Sequence, residues 1–245
     1  MLEGKVILVT GGARAIGACI SRVLAREGAT VAVNYASSKD RAEAVANEIG
    51  GKAFRADVRD SETVQKMVDA VIAEFGHLDG VVNNAINGKQ DGPFGETCWE
   101  DFANSYDFGC KQVVNVVKAV RPQFNVQGGG RIVNIVTEVW NMAPGGWTVY
   151  MAGKGAMVGL SRSLAVELGP ENITVNMVAP GWMATEKVDL ESAGSKGFAA
   201  SLPLRRHGSG DEIGNACAFF MSHLASYVTG AYLPVTGGRI TQMGS

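Results

Sequence analysis

Tyr150 and Lys154 are the two residues whose types and spacing most directly suggest chemistry. They stand four positions apart in a segment with helical periodicity, so their side chains share one helix face. An ammonium beside a phenol stabilises the phenolate and lowers the pKa of the phenol from its usual value of about 10. Such a tyrosine can donate a proton to an alcohol oxygen, or accept one from it, near neutral pH. Taken alone, the Tyr-x-x-x-Lys pattern is also common by chance and fits two residues on the protein surface that have no catalytic role.

Thr137 lies just past a predicted strand, and its hydroxyl could polarise the same oxygen. Ligands of a parallel sheet collect at the carboxyl ends of its strands. This position favours a functional interpretation of Thr137 together with Tyr150 and Lys154.

A glycine-containing turn joins the first predicted strand to the first predicted helix. Residues 10–17 are Thr-Gly-Gly-Ala-Arg-Ala-Ile-Gly, so the candidate contacts are Gly11, Gly12, Ala13, Arg14, Ile16 and Gly17. Glycines let the backbone turn tightly and approach a pyrophosphate, whose charge then lies against the amides of the helix N-terminus. The spacing is wider than Gly-x-Gly-x-x-Gly, and Ala15 occupies a position where a glycine is expected. The strand–turn–helix context still predicts a dinucleotide site.

The end of the second predicted strand indicates which dinucleotide binds. An acidic residue there would bind a ribose 2′-hydroxyl and repel a 2′-phosphate. This chain instead has Asn34-Tyr-Ala-Ser37-Ser38, with no carboxylate before Asp40. Arg14 can supply positive charge for a phosphate, so NADP(H) is favoured over NAD(H). The alternative is a solvated Arg14 beside an ordinary loop.

Short β-branched segments alternate with longer helical patterns along the chain, which predicts parallel strands with right-handed crossovers. The predicted fold class is therefore α/β: one domain with a doubly wound, parallel, seven-stranded sheet and helices on both faces. The predicted strands are Lys5–Thr10, Thr30–Tyr35, Ala53–Val58, Gly80–Asn83, Arg131–Val136, Ile173–Val178 and Tyr232–Val235. The fourth predicted helix runs from Trp99 to Phe124. Residues 185–209 lack clear periodicity and are expected to form a lid or binding loop.

Composition excludes several classes of protein. The 245 residues are 46% hydrophobic and 19% charged with a net charge of −2, which provides a large core but no basic surface for nucleic acid or anionic lipid. Apolar segments are too short to span a membrane, and four scattered cysteines suggest reduced thiols. We expect a cytoplasmic protein with a small-molecule ligand, no metal, no nucleic-acid partner and no membrane partner.

Taken together, these segments resemble the classical short-chain dehydrogenase/reductases over essentially the whole chain. The matching segments are residues 10–17, Asp57-Val58, Asn83-Asn84-Ala85, Tyr150-Met-Ala-Gly-Lys154, Ile173-Thr-Val-Asn176, Pro180-Gly181 with Thr185, and Tyr232-Leu-Pro-Val-Thr-Gly-Gly238. The resemblance implies a Rossmann fold and NAD(P)-dependent interconversion of a carbonyl and an alcohol. Members of the 3-oxoacyl-[acyl-carrier-protein] reductase type look most similar.

The resemblance also assigns roles to individual residues. Tyr150 would be the general acid in reduction, Lys154 would bind the nicotinamide ribose, and Thr137 would hold the substrate oxygen. It places Asp57 and Val58 at the adenine, Asn84 with Ala85 at the adjacent ribose, and Pro180, Gly181, Met183 and Thr185 at the nicotinamide. It further implies a homotetramer, or a homodimer.

Several positions depart from the family pattern. Thr137 replaces the usual serine, and the slot of the usual catalytic asparagine falls near Gly109, with Asp107 and Asn115 nearby. Ile86 stands where the family has a glycine, and Thr236 stands where the family often has an acidic residue. Either the enzyme remains active, with water or another polar group replacing the asparagine, or the domain binds NADP(H) without turnover as a regulatory protein. Because Tyr150 and Lys154 are both present, the active enzyme is favoured.

The substrate is less constrained by the sequence. Trp140, Trp147 and Trp182 stand close to motif residues, and we expect them to wall a pocket for a bulky apolar carbonyl compound. A sugar, polyol or steroid dehydrogenase is the alternative. Scattered cations could also meet the phosphate of an anionic carrier: Lys89, Lys187, Lys196, Arg205 and Arg206.

Overall fold

A computed structural model describes residues 1–88, 91–186 and 188–239. The strands are β1 Val6–Val9, β2 Thr30–Tyr35, β3 Lys52–Arg55, β4 Gly80–Asn83, β5 Gly130–Ile135, β6 Ile173–Pro180, β7 Met183–Ala184, β8 Gly208–Ser209 and β9 Tyr232–Val235. The α-helices are α1 Ala15–Arg26, α2 Lys39–Glu48, α3 Ser61–Phe75, α4 Trp99–Tyr106, α5 Gln112–Val126, α6 Val139–Met142, α7 Thr148–Glu167, α8 Ala193–Ser201 and α9 Gly210–Met221.

Seven parallel strands form the central sheet in the order β3-β2-β1-β4-β5-β6-β9. Side chains of a strand alternate between the two faces of a sheet. Thus Ile7 and Val9 of β1 join one buried cluster, which includes residues of α1, α2 and α9. Val6 and Leu8 join the other, with residues of α3, α5 and α7. The predicted fold class is confirmed.

The chain runs outward from β1 to β3 and then returns to β4 on the other side of β1. Such a reversal of strand order opens a crevice at the carboxyl ends of the two central strands, which is where doubly wound folds bind ligands. The turn after β1 and the segment after β4 both border this crevice.

Three predicted elements need correction. The helix expected from Trp99 to Phe124 is interrupted by a π-helical turn, Asp107–Lys111, between α4 and α5. The third strand ends at Arg55 rather than Val58, because the Asp57 carboxylate accepts a hydrogen bond from the backbone N–H of Arg59 and turns the chain.

The third correction concerns residues 185–209, which contain a helix as well as loop. Helix α8 begins after Ser192, whose hydroxyl accepts a hydrogen bond from the backbone N–H of Ser195. Gly194 and Gly197 within the helix lower its intrinsic propensity, which accounts for the weak sequence signal. The described part of the segment therefore contains helix α8 and the short strand β8 as well as loop.

Within the described ranges, no helix is both long and apolar enough to cross a membrane.

Candidate functional site

A cavity of about 910 Å³ follows the carboxyl ends of the strands. This size suits a dinucleotide with part of a substrate. Its walls include every residue predicted for the site except Gly12, namely Gly11, Ala13, Arg14, Ile16, Gly17, Asn34, Ser37, Asp57, Val58, Asn84, Ala85, Thr137, Tyr150, Lys154, Pro180, Gly181, Met183 and Thr185. The cavity thus brings together residues from seven separate chain segments.

The turn after β1 is built for close backbone approach. Gly11 has a φ of +60°, and a Cβ there would lie 3.0 Å from the Cα of Ala85. At Gly17 a Cβ would collide with the carbonyl oxygen of Gly11. Gly12 faces inward instead, where a Cβ would lie 2.8 Å from the Ser21 hydroxyl. Only glycine fits these positions, and Gly12 supports the turn from beneath.

Two asparagine side chains, one buried (Asn34) and one half-buried (Asn84), hold this turn in place. The Asn84 side chain donates to the carbonyls of Thr10 at 3.0 Å and Gly11 at 3.2 Å. Asn34 accepts from the backbone N–H of Gly11 at 3.2 Å and donates to the carbonyl of Ala56 at 3.1 Å. Both asparagines therefore shape the cradle through their side chains, whereas contact between either one and a cofactor stays a prediction.

Ala15 adopts the left-handed conformation with a φ of +48°. This conformation favours glycine, and it explains why a glycine is expected at that position. The backbone N–H of Ala15 donates to the Glu186 carboxylate at 3.1 Å. The first turn of α1 thus already faces an anionic group, as the amides of a helix N-terminus favour.

The far end of the cavity carries positive charge. Arg14 and Arg55 line it with Ser37 and Ser38, and neither arginine forms an ion pair within the described part of the chain. The Asp57 carboxylate binds Arg59, with Nη2 at 2.7 Å, and this bond lowers the pKa of Asp57. The lining carboxylate is thereby neutralised by its neighbour.

Tyr150 is half-buried at the other end of the cavity. Burial raises the pKa of its phenol, while a hydrogen bond with Thr137 acts in the opposite direction. The sequence suggested that Lys154 would lower this pKa, but burial is the largest influence on it and raises it. The ring of Trp147 packs edge-on against Tyr150, with 5.6 Å between centroids.

Lys154 is fully buried one helical turn from Tyr150, with its Nζ 6.0 Å from the tyrosine ring centroid. Its Nζ donates to the carbonyl of Ile135 at 2.6 Å. Burial penalises the ammonium and lowers the pKa of Lys154 to about 8. Lys154 can therefore change its protonation state near neutral pH.

Thr137 is held rigidly at the end of β5. Its hydroxyl accepts from the backbone N–H of Val139 at 3.2 Å, and its carbonyl accepts from the Tyr232 hydroxyl at 2.8 Å. The hydroxyl also acts to lower the pKa of Tyr150, which lines the same cavity. Two hydroxyl groups from different elements thus converge on one end of the cavity.

Gly109 fills the slot of the usual asparagine for a steric reason. A Cβ on Gly109 would collide with the backbone of Gly153, which precedes Lys154. The π-helical turn and α7 therefore meet backbone to backbone, and no side chain fits between them. Asp107 belongs to the same π-helical turn, and Asn115 is turned away, donating to the carbonyl of Val58 at 3.0 Å.

A second, small cavity lies beside this contact. Its volume of about 10 Å³ suits a single water molecule. The walls are Ile86, Asn87, Ser105, Phe108, Gly109, Tyr150, Gly153 and Lys154. The cavity adjoins both predicted proton-transfer residues.

The predicted tryptophan wall is correct in part. Trp182 lines the large cavity and packs against Phe198 of α8, with 4.9 Å between ring centroids. Trp147 contacts Tyr150, and Trp140 packs over Gly155 of α7. Neither Trp147 nor Trp140 lines the large cavity among the described residues.

Sequence reasoning missed two polar residues behind Thr137. Glu138 is 5% exposed, and burial raises the pKa of its carboxyl group. The hydroxyl of Tyr232 anchors Thr137, and burial raises the pKa of Tyr232 to about 12. A carboxylate directly after the candidate threonine was the available signal for Glu138, whereas the contact of Tyr232 depends on the pairing of β6 with β9.

Comparisons with known proteins agree with this geometry. The sequence pattern of the family described as Enoyl-(Acyl carrier protein) reductase matches residues 11–239. The chain is 39% identical to the 3-oxoacyl-[acyl-carrier-protein] reductase FabG of Staphylococcus epidermidis over 242 residues, which cover 96% of this chain and 98% of that protein. This chain belongs to the short-chain dehydrogenase/reductases.

Solved structures support the same assignment. A Serratia marcescens short-chain dehydrogenase/reductase mutant superposes with a TM-score of 0.88 at 37% identity, covering 97% of this chain and 98% of that one. A blue fluorescent protein from a metagenomic library, in complex with NADPH, gives a TM-score of 0.87 at 35% identity over 97% and 98% of the two chains. The protein is thus an oxidoreductase of the class that acts on CH–OH and C=O groups with a nicotinamide cofactor.

Proposed function

We propose that this short-chain dehydrogenase/reductase uses NADP(H) to interconvert a bulky apolar ketone or aldehyde, including a 3-oxoacyl thioester, with its alcohol. The observation that carries the proposal is the position of Tyr150. It lines one end of the 910 Å³ cavity together with Thr137 and Lys154, and Arg14 and Ser37 line the same cavity.

The cavity fits a nicotinamide dinucleotide. Gly11 and Gly17 let the turn after β1 fold tightly against Ala85 and Asn84, and a tight turn of this kind places the amides at the start of α1 where they would meet a pyrophosphate. Arg14, with the hydroxyls of Ser37 and Ser38, would hold a 2′-phosphate. The NADPH complex of the metagenomic relative supports this choice.

The reactive end would use three side chains. A bound nicotinamide supplies hydride in reduction and accepts it in oxidation. Tyr150 donates its hydroxyl proton to the carbonyl oxygen in reduction and accepts the proton in oxidation. Thr137 donates a hydrogen bond to the same oxygen, and Lys154 adds positive charge beside the phenol.

Proton supply is proposed to occur without the usual asparagine. The 10 Å³ cavity beside Lys154 and Gly109 accommodates one water molecule. A water there can pass a proton to Lys154, whose pKa of about 8 suits transfer in both directions. This is why we favour an active enzyme over a protein that only binds NADP(H).

The described cations do not favour an anionic carrier as the main partner. Lys196 pairs with Glu191 at 2.7 Å and Arg206 with Glu212 at 2.6 Å, so both are engaged within the chain. Arg205 donates to the carbonyl of Ala200. Lys89 and Lys187 lie outside the described residues. A free bulky apolar ketone or aldehyde, or a simple 3-oxoacyl thioester, is accordingly the proposed substrate class.

The first experiment measures loss of reduced cofactor with NADPH and with NADH. The carbonyl panel contains an acetoacetyl thioester, a diketone, aromatic aldehydes, a ketosteroid and a ketosugar. Turnover of the thioester, diketone or aldehydes supports the proposal, and exclusive turnover of the sugar or steroid favours the alternative dehydrogenase. NADPH binding without turnover favours the regulatory alternative.

Tyr150→Phe should abolish turnover, by about 10³-fold or more, while NADPH binding measured by fluorescence stays within about twofold. The substitution removes only the hydroxyl group and keeps the aromatic ring, so we expect cofactor binding to be retained. Retained turnover would remove Tyr150 from the mechanism.

Arg14→Gln should weaken NADPH binding by about tenfold and leave NADH binding nearly unchanged, because one charge-assisted hydrogen bond to the 2′-phosphate is lost. Arg162→Gln is the control, since Arg162 is exposed on α7 and does not line the cavity. Equal losses for both cofactors would contradict a 2′-phosphate contact.

A further inference from the structure

An ion pair connects the end of the catalytic strand β5 with the C-terminal segment. Glu138 directly follows Thr137, and its Oε1 lies 3.6 Å from Nη1 of Arg239. The Glu138 side chain is 6% exposed and that of Arg239 is 35% exposed. The second oxygen of Glu138 has no hydrogen-bond partner among the residues that the structure describes. Arg239 is therefore the contact that balances this buried charge.

The same arginine also reaches helix α8. Its guanidinium carbon lies 5.1 Å from the centroid of the Phe198 ring, within the range of a cation–π contact. Phe198 in turn stacks on His207, with 5.3 Å between centroids and 24° between planes. Arg239 thus lies between the Glu138 carboxylate and the stacked rings of Phe198 and His207.

Helix α8 packs against one residue of the cavity wall. Trp182 packs against Phe198 and lines the cavity beside Gly181. The Glu138 carboxylate lies directly behind Gly181, where a Cβ would come within 3.4 Å of Oε1. A movement of Phe198 away from Arg239 would therefore displace Trp182 and widen the site.

We propose that Glu138 and Arg239 form a clamp that holds α8 against Trp182, which lines the cavity. Glu138 is then a positioning residue, which acts on the substrate through Arg239, Phe198 and Trp182. The inference rests on the proposed function in one respect, because it takes the cavity wall at Trp182 to contact the carbonyl substrate. It adds a determinant of substrate binding that lies outside the Tyr150 and Lys154 pair.

The clamp predicts an asymmetric response to mutation. Glu138→Gln leaves Arg239 unpaired but still partly in contact with water. Arg239→Gln leaves a buried carboxylate with no cation, which is the more unfavourable state. Arg239→Gln should therefore loosen α8 more than Glu138→Gln does, and the double variant should be less affected than Arg239→Gln alone.

Hydrogen–deuterium exchange of the backbone amides tests the clamp without any substrate. We expect exchange in peptides covering residues 193–201 to accelerate at least about threefold in Arg239→Gln, and less in Glu138→Gln and in the double variant. Peptides covering α1 should exchange at the wild-type rate. Arg121→Gln, which removes the exposed ion pair with Glu171, is the control and should leave α8 unchanged.

Steady-state kinetics with NADPH and the best carbonyl substrate of the panel provide the second readout. The clamp predicts a KM several-fold higher in Arg239→Gln with a kcat within about twofold of the wild type, because the reacting groups keep their places. The clamp would be overturned if amide exchange in α8 were unchanged in Arg239→Gln. It would also be overturned if the changes in α8 exchange caused by the two single substitutions simply added in the double variant. If the wild type turns over no carbonyl compound, the proposed function fails, and the exchange experiment still decides the clamp.

Discussion

At the scale of single residues, the candidate site combines burial with charge. Lys154 is fully buried, and the desolvation of its ammonium lowers its pKa to about 8. The unfolded chain holds the same proton up to about pH 10.4. Between these two values the unfolded state binds more protons than the folded state, so the unfolding free energy rises as the pH increases. Below about pH 8 Lys154 is protonated in the folded state as well, so the folded state bears the full free-energy cost of burying the ammonium.

Lys154→Met should therefore abolish turnover and raise the unfolding free energy at pH 7 by roughly 1–3 kcal/mol. Urea unfolding at several pH values measures this, and the stability gain should fade between about pH 8 and 10.5. Lys118→Met is the control, because Lys118 is exposed on α5. A variant less stable than the wild type at neutral pH would show that the ammonium stabilises the fold.

Residues that act through local pattern could be predicted from the sequence, and residues that act through distant contacts could not. Tyr150 and Lys154 lie one helical turn apart, and Gly11 and Gly17 lie in one turn, so their spacing carries the signal. By contrast, Arg239 lies about a hundred positions beyond Glu138. That contact exists only because β5, β6 and β9 lie side by side in the sheet.

At the scale of elements, the π-helical turn is the feature that periodicity cannot show. Apolar positions repeat through α4 and α5 as in one helix, whereas the interruption arises from the packing of Gly109 against Gly153 on another element. A π-helical turn within a helix often marks a functional site. Here it brings the backbone of Gly109, at the position of the usual asparagine, next to Lys154.

Gly109→Asn restores the residue usual in the family, yet it should lower the unfolding free energy by roughly 2–4 kcal/mol and reduce turnover, because the side chain collides with the Gly153 backbone. Denaturant unfolding measures the loss. Gly159→Asn makes the same change where a Cβ meets nothing within 4 Å, and it should be nearly neutral. Higher turnover in Gly109→Asn would mean that the family asparagine fits this turn.

At the scale of the whole molecule, the fold leaves apolar surface on one side of the cavity. Phe94, Trp99 and Tyr106 are 69%, 76% and 52% exposed, on α4 and the turn before it. Helix α4 packs against α7, which carries Tyr150 and Lys154. Exposed aromatic clusters of this kind are characteristic of protein–protein interfaces. This surface is where we expect the homotetramer or homodimer, implied by the family resemblance, to form.

Trp99→Lys should therefore shift the protein to a smaller assembly, because a charge on a desolvated interface opposes association. Light scattering coupled to size-exclusion chromatography measures the mass, at several protein concentrations. Val126→Lys introduces the same charge at a site that is 85% exposed at the end of α5, and it should leave the mass unchanged. Equal masses for wild type and Trp99→Lys would place the interface elsewhere. A monomeric wild type would contradict the oligomer itself, and α4 would then present its aromatic side chains to solvent.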